Sequence, residues 1–238
     1  MPDDRGIRGA GFGARDNEPD DGRRDVVAAS PEPRAPGPGL ARLAVLLSGR
    51  GSNLVAIANA CARGEVPAEI ALVVSNKRDA PGLERARERG IPAVAVPGRG
   101  ISREEHERLV VAEIEGSGAE WVCLAGYMRL LSPGFVGRFP RRIVNIHPAL
   151  LPAFPGLEAQ HQALEYGVKV SGCTVHLVDA GCDSGPIVLQ RTVPVLDSDT
   201  VGALSERILE QEHVAYAAAL RMLLTRRWRV DGRRVVFE

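Results

Sequence analysis

Cysteine is scarce in this chain, and its few thiols are scattered. Cys61, Cys123, Cys173 and Cys182 are the only 4 among 238 residues, and no two form a C-x-x-C pair. That excludes a disulfide-built scaffold and a zinc ribbon, and it fits a protein of the reducing cytoplasm. Long apolar runs are missing too: none reaches the ~18 residues that a bilayer-spanning helix needs. The first residues lack the uninterrupted apolar core of an export signal, so secretion is not expected. Neither sign of charge is in excess. The 30 basic and 30 acidic side chains cancel, which argues against a nucleic acid or a membrane surface as partner. Lysine is nearly absent, with Lys77 and Lys169 alone among many arginines, a bias assigned to genomic base composition rather than to function. No two histidines have the spacing of metal ligands, so no metal is expected.

What is present is a hydrophobic share of 45%, enough for a substantial core in one globular domain of about 200 residues. Residues 1–40 are rich in Gly, Pro, Asp and Arg without periodicity and read as a disordered tail. That leaves 41–238 as a single domain. In it apolar runs at 42–48, 69–75, 92–96, 121–125 and 142–147 read as strands, and helical stretches separate them. The pattern Ser102-x-x-Glu105 is a capping box opening a helix to about Glu115. Residues 173–179 (CTVHLVD) alternate like a strand with two differing faces, and 186–195 suit an antiparallel addition. Asp199-Thr200 caps a long helix to about Leu224, and a hairpin with Asp231-Gly232 at its turn closes the chain. The expected fold is α/β: an open, mostly parallel twisted sheet with helices on both faces, Rossmann-like, with an antiparallel addition toward the C-terminal part.

The stretch Arg142–Gly156 (RIVNIHPALLPAFPG) is the one the rest serves. It starts as a buried strand and stops at a proline-stiffened loop. Asn145 and His147, two apart, project to the same side of that strand's carboxyl end, where ligands bind in open α/β sheets. A fixed donor beside a group titrating near neutrality is what carbonyl chemistry needs. The bland alternative is that both cap the loop. Asp183 sits in Gly181-Cys182-Asp183-Ser184-Gly185. Alone it reads as an Asx turn; folded over the strand end, it would orient His147 and raise its pKa. Ser48-Gly49-Arg50-Gly51-Ser52-Asn53 joins the first strand to a helix. The N–H groups of Gly51, Ser52 and Asn53 would face an anion there, although the same residues serve as ordinary caps. No Gly-Lys-Ser/Thr follows, and Leu54 stands where a dinucleotide fingerprint has its third glycine, so a single phosphate fits better. His106, His161, His176 and His213 rate lower; His176 reads as a packed polar core residue.

These motifs, with Ser75-Asn76-Lys77, Ala125-Gly126-Tyr127-Met128-Arg129, Asn145-Ile146-His147-Pro148…Leu151-Pro152 and Asp179-x-x-x-Asp183-x-Gly185-Pro186, resemble the phosphoribosylglycinamide formyltransferases of the folate-dependent formyltransferase superfamily. The resemblance runs from about Arg42 to Leu224. It implies that Gly51, Ser52 and Asn53 hold a ribose phosphate and that Glu212 contacts the sugar or glycinamide. It places Arg103, Met128, Arg129, Leu130, Leu131 and Asn145 around 10-formyltetrahydrofolate, and makes Asn145, His147 and Asp183 the catalytic trio. It further implies a cytoplasmic enzyme of purine biosynthesis, monomer or homodimer, with two small-molecule substrates. The chain departs from the family just after Pro155-Gly156, where a histidine is common and Leu157-Glu158-Ala159-Gln160 stand. The implied reaction is attack of the glycinamide amine on the formyl carbon, with Asn145 and the imidazolium of His147 stabilising the oxyanion. A formyltetrahydrofolate deformylase generally has a folded domain ahead of the catalytic one, for which residues 1–40 are too short and polar. A methionyl-tRNA formyltransferase generally has a basic C-terminal domain. A non-catalytic phosphosugar- or folate-binding protein is the alternative from another class.

Overall fold

The computed structural model describes residues 39–238, so the tail expected over 1–40 lies, but for Gly39 and Leu40, outside the described residues. The first strand, β1 (Ala41–Leu47), is buried at every position except Arg42, as a central strand covered on both faces must be. Gly51, in the left-handed region at φ 74°, turns the chain into α1 (Ser52–Ala62). Then follow β2 (Ala68–Ser75), α2 (Pro81–Arg87), β3 (Ala93–Ala95), α3 (Arg103–Gly116), β4 (Trp121–Leu124), α4 (Pro133–Arg138), β5 (Ile143–His147) and α5 (Ala159–Tyr166). The chain closes with β6 (Val170–Leu177), β7 (Ile187–Pro194), α6 (Val201–Thr225), β8 (Trp228–Asp231) and β9 (Arg234–Phe237). The helix starts follow their caps: Ser102, Ser132 and Thr200 accept the N–H of Glu105, Phe135 and Ala203. Asp199, expected to share the cap of α6, instead accepts the Leu196 N–H and holds Arg207 at 2.6 Å.

The strands form one sheet in the order β3-β2-β1-β4-β5-β6-β7-β9-β8. β1 to β5 run parallel, β6 is antiparallel to β5, and β7 is antiparallel to β6. The open, mostly parallel sheet with an antiparallel addition is therefore present. One face packs Leu43, Val45, Leu47, Val144 and Ile146 against α1, α2 and α6 through Leu54, Ile57, Leu83, Ile208 and Tyr216. The other packs Ala44, Leu46, Val122 and Ile143 under α3 and α4 through Val110, Ile114 and Phe135. Among the described residues no helix is long and apolar enough to cross a membrane.

One expectation is refined and one corrected. β6 is a strand with two differing faces as expected, and both are covered, since every residue from Ser171 to Leu177 is buried. Cys173, Val175 and Leu177 belong to the apolar cluster that includes α6, while the polar Thr174 and His176 are covered by loops. Thr174 donates to the Ala149 carbonyl and accepts the Leu151 N–H. At the C-terminal hairpin Asp231 pairs with Arg234 in the ladder, so the turn is made by Gly232, at φ 59°, and Arg233.

A buried hydroxyl ties the long helix to the centre of the sheet. The fully buried Tyr216 hydroxyl lies 3.1 Å from the Leu124 carbonyl and 2.9 Å from that of Val144, bridging the ends of β4 and β5. Tyr216→Phe should lower the unfolding free energy by about 1–2 kcal/mol, read as a shift in urea midpoint at unchanged slope.

Candidate active site

The strand order sets the place. β1 leads to β2 and β3 on one side, while β4 and β5 lie on the other, so the carboxyl ends of β1 and β4 flank the switch in direction where open α/β sheets bind ligands. Ser48 closes that edge: its N–H donates to the Gly126 carbonyl, its hydroxyl donates to Asn76 Oδ1 at 2.6 Å, and it accepts the Met128 N–H at 2.8 Å.

Beside it, β5 and β6 present four polar side chains on one face. Asn145 and His147 are two apart on β5, and antiparallel register sets His176 opposite Asn145 and Thr174 opposite His147. The loop 178–186 brings Asp183 onto this face rather than over the strand end alone. Asp183 Oδ2 lies 3.3 Å from His147 Nδ1 and accepts the Gly156 N–H at 2.9 Å. Its Oδ1 accepts from Asn145 Nδ2 at 3.3 Å and lies 3.6 Å from His176 Nε2. The loop is built for this. Asp179 Oδ1 takes the Gly181 N–H and the Ser184 hydroxyl. A side chain at Gly185 would run into the Leu177 carbonyl. Asp183 itself adopts φ 49°, a region that Asp tolerates better than most residues.

The tautomers follow from the acceptors. His147 Nε2 is 2.8 Å from the Phe154 carbonyl, and His176 Nδ1 is 2.9 Å from that of Leu177. A carbonyl only accepts, so each of these nitrogens carries the proton. His176 Nε2 is then the acceptor for the Asn145 amide, 3.1 Å away. His147 Nδ1 is left facing a carboxylate.

Electrostatics refines one expectation. Burial lowers the His147 pKa, and the nearby His176 ring lowers it further; the Asp183 charge and the Phe154 carbonyl raise it without restoring its ordinary value. Asp183 thus acts in the expected direction, and burial outweighs it, a balance that favours the neutral ring. For Asp183 burial pushes the carboxyl up, but its contacts with the His176 ring, the Gly156 N–H and the His147 ring hold it down to about 2.

The glycine turn and the long helix meet nearby. Asn53 Nδ2 donates to Glu212 Oε2 at 2.8 Å with both residues buried, and Asn53 Oδ1 has no partner. A side chain at Gly51 would come within 2.7 Å of the Gly82 backbone, so this glycine seats α1 against α2. The first N–H groups of α1 remain for an anion. On the α3 side Met128 and Leu130 are 61% and 66% exposed, an apolar shelf beside the polar cluster, while Leu131 packs on the core under α4. Arg103 lies 3.2 Å from the buried Glu107. Arg129 does not face the shelf: its guanidinium covers Gly98 beside His106. A separate groove of about 460 Å³ between α1 and α6, lined by Arg63, His213 and Arg221, touches the site only at Ser52.

The structure thus brings Asn145, His147 and Asp183 together, and Asn53 with Glu212. His176, expected as a packed polar core residue, is buried at 2% exposure; what the sequence did not show is that antiparallel register sets it opposite Asn145.

Residues 41–220 match the family model described as formyl transferase, and the chain belongs to that family. It is 42% identical to phosphoribosylglycinamide formyltransferase of Escherichia coli over 80% of this chain and 88% of that protein. The crystal structure of glycinamide ribonucleotide transformylase 1 from Symbiobacterium toebii superposes with a TM-score of 0.82 at 50% identity, covering 83% of this chain and 94% of the other. The Drosophila melanogaster trifunctional purine biosynthetic protein adenosine-3 is 46% identical over 77% of this chain, which spans 14% of that protein's length. A formyltetrahydrofolate deformylase from Pseudomonas syringae shares the fold at 28% identity, with a TM-score of 0.79 over 84% of this chain and 66% of the other.

The His147 shift has a sign that can be checked. Its folded pKa lies below the usual 6.5, so on acidification the unfolded chain takes the proton first, and stability falls as pH drops below 6.5. In an NMR titration the His147 ring should titrate below 6.5, and lower again in Asp183→Asn, which removes a charge that raises it. A midpoint at or above 6.5 would contradict the burial argument.

Proposed function

We propose that the chain transfers the formyl group of 10-formyltetrahydrofolate to the amine of 5′-phosphoribosylglycinamide, giving the formylated product and tetrahydrofolate in purine biosynthesis. The observation that carries this is the convergence of His147, Asp183 and the Asn145 amide, in a chain that also pairs Asn53 with Glu212. In this reading residues 41–238 are one catalytic domain, preceded by the tail 1–40. The four free cysteines fit the cytoplasm, and the protein acts as a monomer or homodimer without metal.

The chemistry runs as follows. The N–H groups of Gly51, Ser52 and Asn53 hold the ribose phosphate, and Glu212 the sugar or glycinamide, so the amine is delivered to the cluster. Arg103, Met128, Leu130 and Leu131 line the folate side; Arg129 contributes from the edge, given its place over Gly98. The amine nitrogen bonds to the formyl carbon, and negative charge develops on the formyl oxygen. Asn145 turns one N–H from its 3.3 Å contact with Asp183 toward that oxygen. The amine proton moves to Nδ1 of neutral His147, filling the gap before Asp183, so positive charge arrives as the oxyanion forms. His147 then returns the proton to the departing folate nitrogen as its bond to carbon breaks. His176 fixes the Asn145 amide.

Asn145→Ala and His147→Ala should each lower kcat by ~10²–10³-fold with the fold retained by circular dichroism. Asn53→Ala and Glu212→Ala should raise KM for phosphoribosylglycinamide more than they lower kcat. The deciding assay follows tetrahydrofolate release with the amine substrate present or absent. Product only with the amine supports the transferase, product without it supports a deformylase, and binding of both ligands without turnover supports a binding protein.

A further inference from the structure

Met128 to Leu131 form no helix or strand, yet they carry the apolar shelf. A segment exposing two large apolar side chains to water is expected to collapse onto the surface unless its ends are held. Its leading end is held by the Met128 N–H on the Ser48 hydroxyl at 2.8 Å. Its trailing end runs into Ser132, the cap of α4, and there the buried Glu107 meets it. Glu107 Oε1 accepts the Ser132 N–H at 2.8 Å, and Oε2 accepts the Ser132 hydroxyl, which still accepts the Phe135 N–H. The same Oε1 takes Arg103 Nε at 3.2 Å. Only 11% of the Glu107 side chain is exposed, against 43% for Arg103. A buried carboxylate needs such donors, and these three come from α3 and from the shelf's own end.

We propose that Glu107 is a positioning residue for the folate co-substrate: it fixes the trailing end of the 128–131 shelf and the Arg103 guanidinium in one geometry, presenting an apolar surface and a cation together. This rests on the formyl-transfer reading above and deepens it, since it assigns folate recognition partly to a side chain that touches no substrate. Glu107 lies on α3, on the opposite side of the sheet from the Asn53–Glu212 pair of α1 and α6, so its loss should spare the other substrate.

The test separates the two substrates. In Glu107→Ala, KM for 10-formyltetrahydrofolate should rise about tenfold, the loss of one charge-assisted hydrogen-bond set, while KM for phosphoribosylglycinamide stays within about twofold. Glu107→Gln keeps the volume and one acceptor and should give a smaller rise, about threefold; it remains informative if the alanine variant does not fold. The Kd of tetrahydrofolate, measured by calorimetry without the second substrate, should weaken in parallel. A lower Tm with unchanged folate KM and Kd, or equal rises in both KM values, would overturn the proposal and leave Glu107 a structural cap. Wild-type protein that transfers no formyl group overturns the formyl-transfer reading instead; the tetrahydrofolate Kd values then still decide for or against Glu107.

Discussion

One carboxylate holds the site together. Asp183 joins groups that enter from three segments: Asn145 and His147 from β5, His176 from β6, and the Gly156 N–H from the loop after β5. Oδ1 faces Asn145 and His176, and Oδ2 faces His147 and the Gly156 N–H, with the Cys182 thiol at 3.8 Å. The geometry demands a loop that returns across the sheet, a residue tolerant of positive φ at its tip and a glycine where the loop meets Leu177. An ionised Asp183 is also what makes the neutral His147 unsatisfied. Burial favours the neutral ring and the Asp183 charge favours the protonated one, with burial the larger influence.

Much of this architecture was legible along the chain. The five parallel strands showed as apolar runs because strands covered on both faces need no polar alternation, and Ser102 and Thr200 announced their helices by capping chemistry. Asn145, His147 and Asp183 were recoverable because their motifs are unusual together. What was not legible depends on pairing between distant segments. That His176 faces Asn145 is a fact of antiparallel register, invisible in the run CTVHLVD alone, and it sets a buried core residue beside the Asn145 amide. The direction of the His147 shift depends on how deeply two loops cover the ring, which no local pattern encodes. Nothing in the sequence singles out Glu107, because its partner Ser132 is 25 residues away.

The polar face of β6 connects fold and function. A helix laid across Thr174 and His176 would leave their hydrogen-bonding groups unmet. The irregular segment 148–158 instead supplies backbone groups at fixed points: the Ala149 carbonyl, the Leu151 N–H, the Phe154 carbonyl and the Gly156 N–H. The cluster is largely buried without being apolar, the condition under which fixed dipoles act most strongly on charge.

The two core clusters lie on opposite sides of the sheet, with Asn53 and Glu212 on helices of one layer and the shelf and Glu107 on the other. Groups on the two slopes can therefore meet only across the carboxyl rim of the strands. The thickness of the sheet acts as a ruler, setting how far apart two molecules held on opposite slopes would stand.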